Sequence, residues 1–231
     1  FWSQAIIAEV YTPGLAFIVA AVLLLCHWRR SPAHDPRVLM LGAALTALGL
    51  GVHLSVALVA PAALVFVVIS LFLRRAEHPN WLRTLGLAAG GMAVGGALFL
   101  LAFLAIDAHN PPSSFIRVGL YPSRSIWKLD AVTLNSPLGR LEITVLGRQW
   151  QDAMFPGKDF MQKQFLAYGD RLISDEFTLT TLALAGLGLG VMLIRSPALG
   201  GLTVASLIAI LSLGLNYNPG DKVVFYLPTY I

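Results

Sequence analysis

The sequence predicts an all-α polytopic membrane protein: six transmembrane helices and an outer loop of about 70 residues, 107–176, containing an interfacial amphipathic helix. Three observations carry that prediction. Apolar residues make up 57% of the 231 and charged residues only 12%, about half the roughly 25% of a soluble domain. The mean hydropathy is +0.74. The apolar residues are gathered into runs able to cross about 30 Å of hydrocarbon at ~1.5 Å per residue, with the charges collected between them.

The first run covers 10–28, entered past Glu9 and Tyr11 and closed by Arg29 and Arg30. The next apolar stretch, 38–73, has no charge over 36 residues. As one helix it would be about 54 Å long, so it divides where LGLGVHLSVALVAP places Gly49, Gly51, His53 and Ser55. That gives spans 38–52 and 54–73. Spans 81–106, 177–194 and 197–215 complete the set within a single membrane domain, 1–231. Phe1 stands where a Met would, and no targeting segment precedes the first run, so the chain reads as an internal fragment.

Charge sets the expected orientation. Seven of the 16 basic residues fall in three short turns: Arg29, Arg30 and Arg37; Arg74, Arg75 and Arg83; and Arg195. Of the 12 acids only Asp35 and Glu77 share those turns. The positive-inside rule places the turns in the cytoplasm, with the long loop on the periplasmic or extracellular side of the cytoplasmic (inner) membrane. No basic cluster interleaved with aromatics is present, which excludes nucleic acid as a partner. Cys26 is the one cysteine and lies in an apolar run, where packing is its expected role. Gly86 with Gly90, Gly91 with Gly95, and Gly186 with Gly190 stand at small-xxx-small spacing, expected to pack helices within the chain more than to join two copies.

The long loop opens with HNPPSSF, whose prolines bar a helix. In LNSPLGRLEITVLGRQW, Ser136 caps and Pro137 begins a predicted amphipathic helix carrying Leu138, Leu141, Val145 and Leu146, with Trp150 suited to the membrane surface. DFMQKQFLAYGDRL predicts a second helix. A solvated cap without chemistry fits this segment equally well.

On this topology the polar residues at the span ends collect on the outer side: Glu9, Tyr11, His53, Asp107, His109, Asp221 and Tyr226. Ionisable groups next to the bilayer are functional candidates unless they are only solvated helix ends. A carboxylate there suits a general base toward a hydroxyl, and Arg148 and Arg124 suit a phosphate held bidentately. No Gly-rich phosphate loop, HExxH or nucleophile elbow is present.

FWSQAIIAEVYTP, GLGLGVHLSVALVAP, LGRQW and NPGDKVVFYLPTYI resemble, in order, segments of a bacterial membrane family of unassigned function that is similar to protein O-mannosyltransferases of the GT-C superfamily. The resemblance implies part of a GT-C-like bundle. It implies an enzyme transferring a sugar from a polyprenyl-phosphate donor to a hydroxyl, such as a protein Ser or Thr or a glycan, at the outer face. It implies Glu9 as a second-loop carboxylate that helps to bind the donor phosphate, a metal or the acceptor, with His53, Arg148 and Asp221 lining the same cavity. Glu9 and Asp221 are the candidate catalytic residues here, and Tyr11, His53, Arg148 and Trp150 the candidate substrate-binding ones. A divalent metal is left open. The family's usual first-loop acid would lie before Phe1, so the fragment by itself is expected to be inactive. Two other classes stay in view: a transporter or flippase component, which should carry inverted repeats around a midplane site, and a noncatalytic scaffold, for which replacing Glu9 and Asp221 should leave glycosylation unchanged.

Overall fold

The computed structural model describes residues 11–31, 35–75, 80–114 and 116–217, all but 11, 12, 54, 55, 149 and 150 with their side chains. Helix α1 is Tyr11–Arg30, α2 Pro36–Gly49, α3 Val59–Leu73, α4 Trp81–His109, α5 Ala131–Asn135, α6 Pro137–Leu146, α7 Lys158–Arg171, α8 Leu179–Arg195 and α9 Pro197–Leu215. Leu54–Leu58 and Arg148–Ala153 form 3-10 turns, and Ile116–Leu120 and Leu172–Glu176 form π turns. Among the described residues the only extended pairing is a bridge between Met154 and Tyr217.

The helix ends follow from local chemistry. Pro36 opens α2, and the Asp35 carboxylate accepts from the Arg37 backbone N–H at 2.9 Å, a capping bond of the usual kind. Helix α4 stops where Pro111 forbids its continuation: Asn110 turns to φ 40° and donates its N–H to Ile106 O at 2.8 Å. Ser136 caps α6 as expected, its hydroxyl accepting from Gly139 N at 2.9 Å, and Gly147 at φ 58° ends it. Thr178 caps α8, and Pro197 opens α9 after Ser196.

Four helical segments are long and apolar enough to cross a membrane: Pro13–Arg30, Val56–Leu73, Trp81–His109 and Pro197–Leu215. The α7 segment and α8, bent by 111° where they meet, form a fifth if taken as one broken span. The chain is therefore an all-helical, multi-pass membrane protein. The 38–73 stretch is interrupted, as its length required: α2 ends at Gly49 and α3 begins at Val59. Helix α2 has only 14 residues, about 21 Å, short of a full crossing by itself. Six spans thus depend on α2 and on the 17-residue α8.

The chain divides into two compact units. One holds α1, α2, α4 and the segment up to Asp152. Its helix directions can be read from close contacts. Gly42 faces Leu24, Gly49 faces Phe17 and Gly14 faces His53, so α1 and α2 run antiparallel. A Cβ on Gly91 would collide with the Met40 carbonyl, and one on Gly95 with that of Ala44, so α4 runs parallel to α2 with backbones in contact. Of the predicted glycine pairs, Gly91 and Gly95 pack within the chain as expected. A Cβ on Gly86 or Gly90, or on Gly186 or Gly190, would meet nothing. Among the described residues, then, nothing packs against those two pairs.

The second unit holds α3, α7, α8 and α9. Helices α8 and α9 fold back on each other at Ser196, with Gly200 against Leu193 and the Thr203 hydroxyl 3.8 Å from Met192 Sδ. Gly201 lets α9 settle on Val65 and Ile69 of α3. Ala62, Phe66, Ser70, Ala198 and Leu202 are buried in this contact region.

Candidate functional site

Three helix ends of the first unit lie on one side of it. Helix α1 begins there, the turn after α2 carries His53, and α4 passes Gly51 at Phe99 before continuing to His109. Tyr11 starts α1, one turn from Gly14, and a Cβ on Gly14 would sit 3.2 Å from the His53 Cβ. Asp107 lies eight residues beyond Phe99 on α4, about 12 Å further along the same direction. Gly49 permits this approach, since a Cβ there would sit 2.9 Å from Phe17 Cβ.

His53 is half-buried beside α1, and that burial pushes its imidazole pKa below the ordinary value. Neutral imidazole is favoured, which keeps one ring nitrogen able to accept and the other to donate.

The α4 end carries a cap made from 110–152. Its core is Ile116, Leu120, Leu134 and Ile143, with Tyr121, Trp127 and Leu129 packed against them. The cap is fixed to α4 by a bidentate ion pair. Arg140 Nε donates to Asp107 Oδ1 and Nη2 to Oδ2, both at 2.6 Å. Its third nitrogen, Nη1, donates to Leu134 O at 2.7 Å. The two side chains are only 14% and 4% exposed. The Asp107 carboxylate raises the guanidinium pKa further. Tyr121 Oη reaches Leu134 O at 3.3 Å and Asn135 Oδ1 at 3.2 Å. Asp130 caps α5 through Thr133 N at 2.6 Å, and its hydrogen bonds to Thr133 hold its carboxyl below the usual range.

The predicted site residues fall unevenly. His53 is placed at the α1 entrance. Tyr11 is placed in the backbone of that entrance, its side chain outside the described residues. Glu9 and Asp221 lie outside the described residues, and so does the side chain of Trp150. Arg148 is on the surface, 3.4 Å from Glu142 with both side chains well solvated. Arg124 Nη1 donates to Tyr121 O at 2.8 Å. Neither bond joins the two arginines. Among the described residues no three His, Cys, Asp or Glu side chains gather as a metal-binding group. The missed residue is Arg140. Its signal was Asp107 itself: an acid on a 29-residue, largely apolar helix needs a cation or water, and Arg140 is the partner on the buried face of α6.

By architecture this is a multi-pass helical membrane protein with His53 against the first turn of α1 and an ordered cap on the end of α4. Residues 1–80 match the model of the family described as the Protein O-mannosyl-transferase TMEM260 N-terminal domain. The match covers the first helices and the turn bearing His53. No curated protein and no solved structure matches the chain.

Proposed function

We propose that the chain is part of a membrane glycosyltransferase that moves a sugar from a polyprenyl-phosphate donor to a hydroxyl of a protein Ser or Thr at the outer face of the membrane. The observation that carries this reading is the 1–80 match to a protein O-mannosyltransferase family model. The placement of His53 against the first turn of α1, inside the matched segment, supports it.

In this reaction the acceptor oxygen attacks the anomeric carbon of the sugar. The bond from that carbon to the phosphate oxygen breaks, and polyprenyl phosphate leaves with the electron pair. The acceptor proton passes to a carboxylate, for which Glu9 and Asp221 are the candidates. The neutral His53 and the Tyr11 phenol supply hydrogen bonds to sugar hydroxyls, and Arg148 and Trp150 meet the donor headgroup at the membrane surface. The segments α2 and α8 complete six spans in this reading, with the arginine-bearing turns in the cytoplasm and the cap outside.

The test is transfer by the full-length protein in membranes, from polyprenyl-phosphate mannose to a Ser/Thr peptide. Glu9→Gln and Asp221→Asn should each lower the turnover at unchanged membrane abundance. Unaltered transfer in both variants would remove these carboxylates from the reaction. An intact protein with no transfer to any hydroxyl acceptor would favour the scaffold or flippase alternatives.

A further inference from the structure

We propose that α7 lies in the lipid–water interface, with an apolar stripe inserted into one leaflet, and that the bend between α7 and α8 is a fixed elbow at the membrane boundary. The bend is 111°, about 21° past a right angle. A spanning helix is tilted by about 20° from the bilayer normal on average. If α8 crosses with such a tilt, α7 lies between about 1° and about 41° from the membrane plane, and it runs close to the plane when the tilt closes the bend.

The composition of the two arms agrees. Helix α8 has 17 residues, LTTLALAGLGLGVMLIR, with no charge before Arg195, a length at the lower end of spanning helices. Helix α7 carries Lys158, Asp159, Lys163, Asp170 and Arg171 among its 14 residues, too many for the hydrocarbon centre. A re-entrant hairpin through the lipid is therefore disfavoured, and a surface position is favoured. At helical spacing, Met161, Phe165, Tyr168 and Leu172 fall on one face, and Asp159, Lys163 and Asp170 on the opposite one. No residue of α7 is buried within the chain. On the stripe Phe165 is 60% and Met161 37% exposed, and Tyr168 and Leu172 are half-buried; Leu166, also exposed, falls on the other side of the helix, next to Asp159 and Asp170.

The elbow is polar and internally satisfied, as a boundary should be. Asp170, Arg171, Asp175 and Glu176 cluster there. The Ser174 hydroxyl donates to Asp170 O at 2.8 Å, and Phe177 N donates to Leu172 O at 3.0 Å. Thr178 Oγ1 then accepts from Thr181 N at 3.2 Å to begin α8. Continuity with a membrane-crossing helix commits the stripe to lipid and not to a protein groove. With acids and bases interspersed on its polar face, the helix needs no anionic headgroup.

The experiment places nitroxide labels on the full chain in phosphatidylcholine vesicles, in a Cys26→Ala background. Label sites are Phe165→Cys and Met161→Cys on the stripe, Lys163→Cys and Asp170→Cys opposite. Collision with oxygen, which concentrates in lipid, is compared with collision with a water-soluble nickel chelate. The oxygen-to-nickel ratio should be several-fold higher at both stripe positions than at both polar positions. Equal, nickel-rich values at all four sites would overturn the proposal in favour of a solvated cap. Stripe positions shielded from both reagents would overturn it in favour of a covering protein or second copy. The two sites per face guard against one label disturbing the fold.

Discussion

Replacing Arg140 by Met should loosen the cap without unfolding the helices beneath it. The substitution keeps most of the side-chain volume and removes the guanidinium. Asp107 is then left 4% exposed on its side chain and without the bidentate partner it holds at 2.6 Å. Breaking one half of a buried pair costs about 3–5 kcal/mol. At ~1.4 kcal/mol per tenfold, transient opening of the cap should rise roughly 10²- to 10⁴-fold. Leu134 O is not orphaned, because Tyr121 Oη also reaches it, so the loss belongs to the carboxylate. Hydrogen exchange of the full chain in lipid nanodiscs, followed on peptides covering 116–146, reads this directly. The double substitution D107L/R140L should recover much of the protection, since an apolar pair of similar bulk leaves no buried charge. Unchanged exchange in R140M, or a double variant as open as the single one, would refute the clamp.

Gly91→Leu and Gly95→Leu should each disrupt the α2–α4 contact, at least by the 1–3 kcal/mol or so typical of overpacking, because backbone carbonyls stand in the way. Gly86→Leu and Gly90→Leu should be tolerated, and thermal unfolding in detergent separates the two pairs. Ser136→Ala should cost about 1 kcal/mol through the lost α6 cap, seen as faster exchange in the first turn of α6. The His53 pKa is lowered on folding. Its contribution to stability is therefore complete above the unfolded value of about 6.5 and is lost as pH falls from there through the folded value. Thermal stability of the native chain should drop over that acid window, and His53→Gln should flatten the drop. A native profile no steeper than that of His53→Gln would show that the imidazole is not desolvated.

Much of the helical pattern was legible because the physics behind it is local. Run length, a capping Ser before Pro137, and prolines after His109 each act within a few residues. The division of 38–73 was legible from its length, its polar middle and the flanking charges, although its exact form was not: the turn takes 50–58, so α2 ends at Gly49 and α3 starts only at Val59, five residues later than expected. The glycine contacts were only half legible. Spacing gives small-residue faces, but which face meets a neighbour depends on rotations set by the whole group. Asp107–Arg140 spans 33 positions, and nothing in either local sequence names the other. The site residues were read from sidedness, which charge counting addresses, and not from mutual geometry, which it does not. Charge counting therefore named Arg148 as a phosphate candidate but could not give its place on the surface beside Glu142.

The position of the cap follows from how little holds it internally. Four buried aliphatic side chains, Ile116, Leu120, Leu134 and Ile143, are a small core for a segment of this length, and so small a core rarely stabilises a fold unaided. The bonds within it are mostly local, such as Asp130 to Thr133 and Ser136 to Gly139. Exposed pairs such as Lys128–Asp152 add little even at 2.6 Å. The buried, bidentate ion pair to α4 adds a tie that this small core does not supply. Because Arg140 belongs to the cap and Asp107 to α4, the two are coupled: a shift of the Asp107 end must either carry the cap with it or expose a buried charge pair.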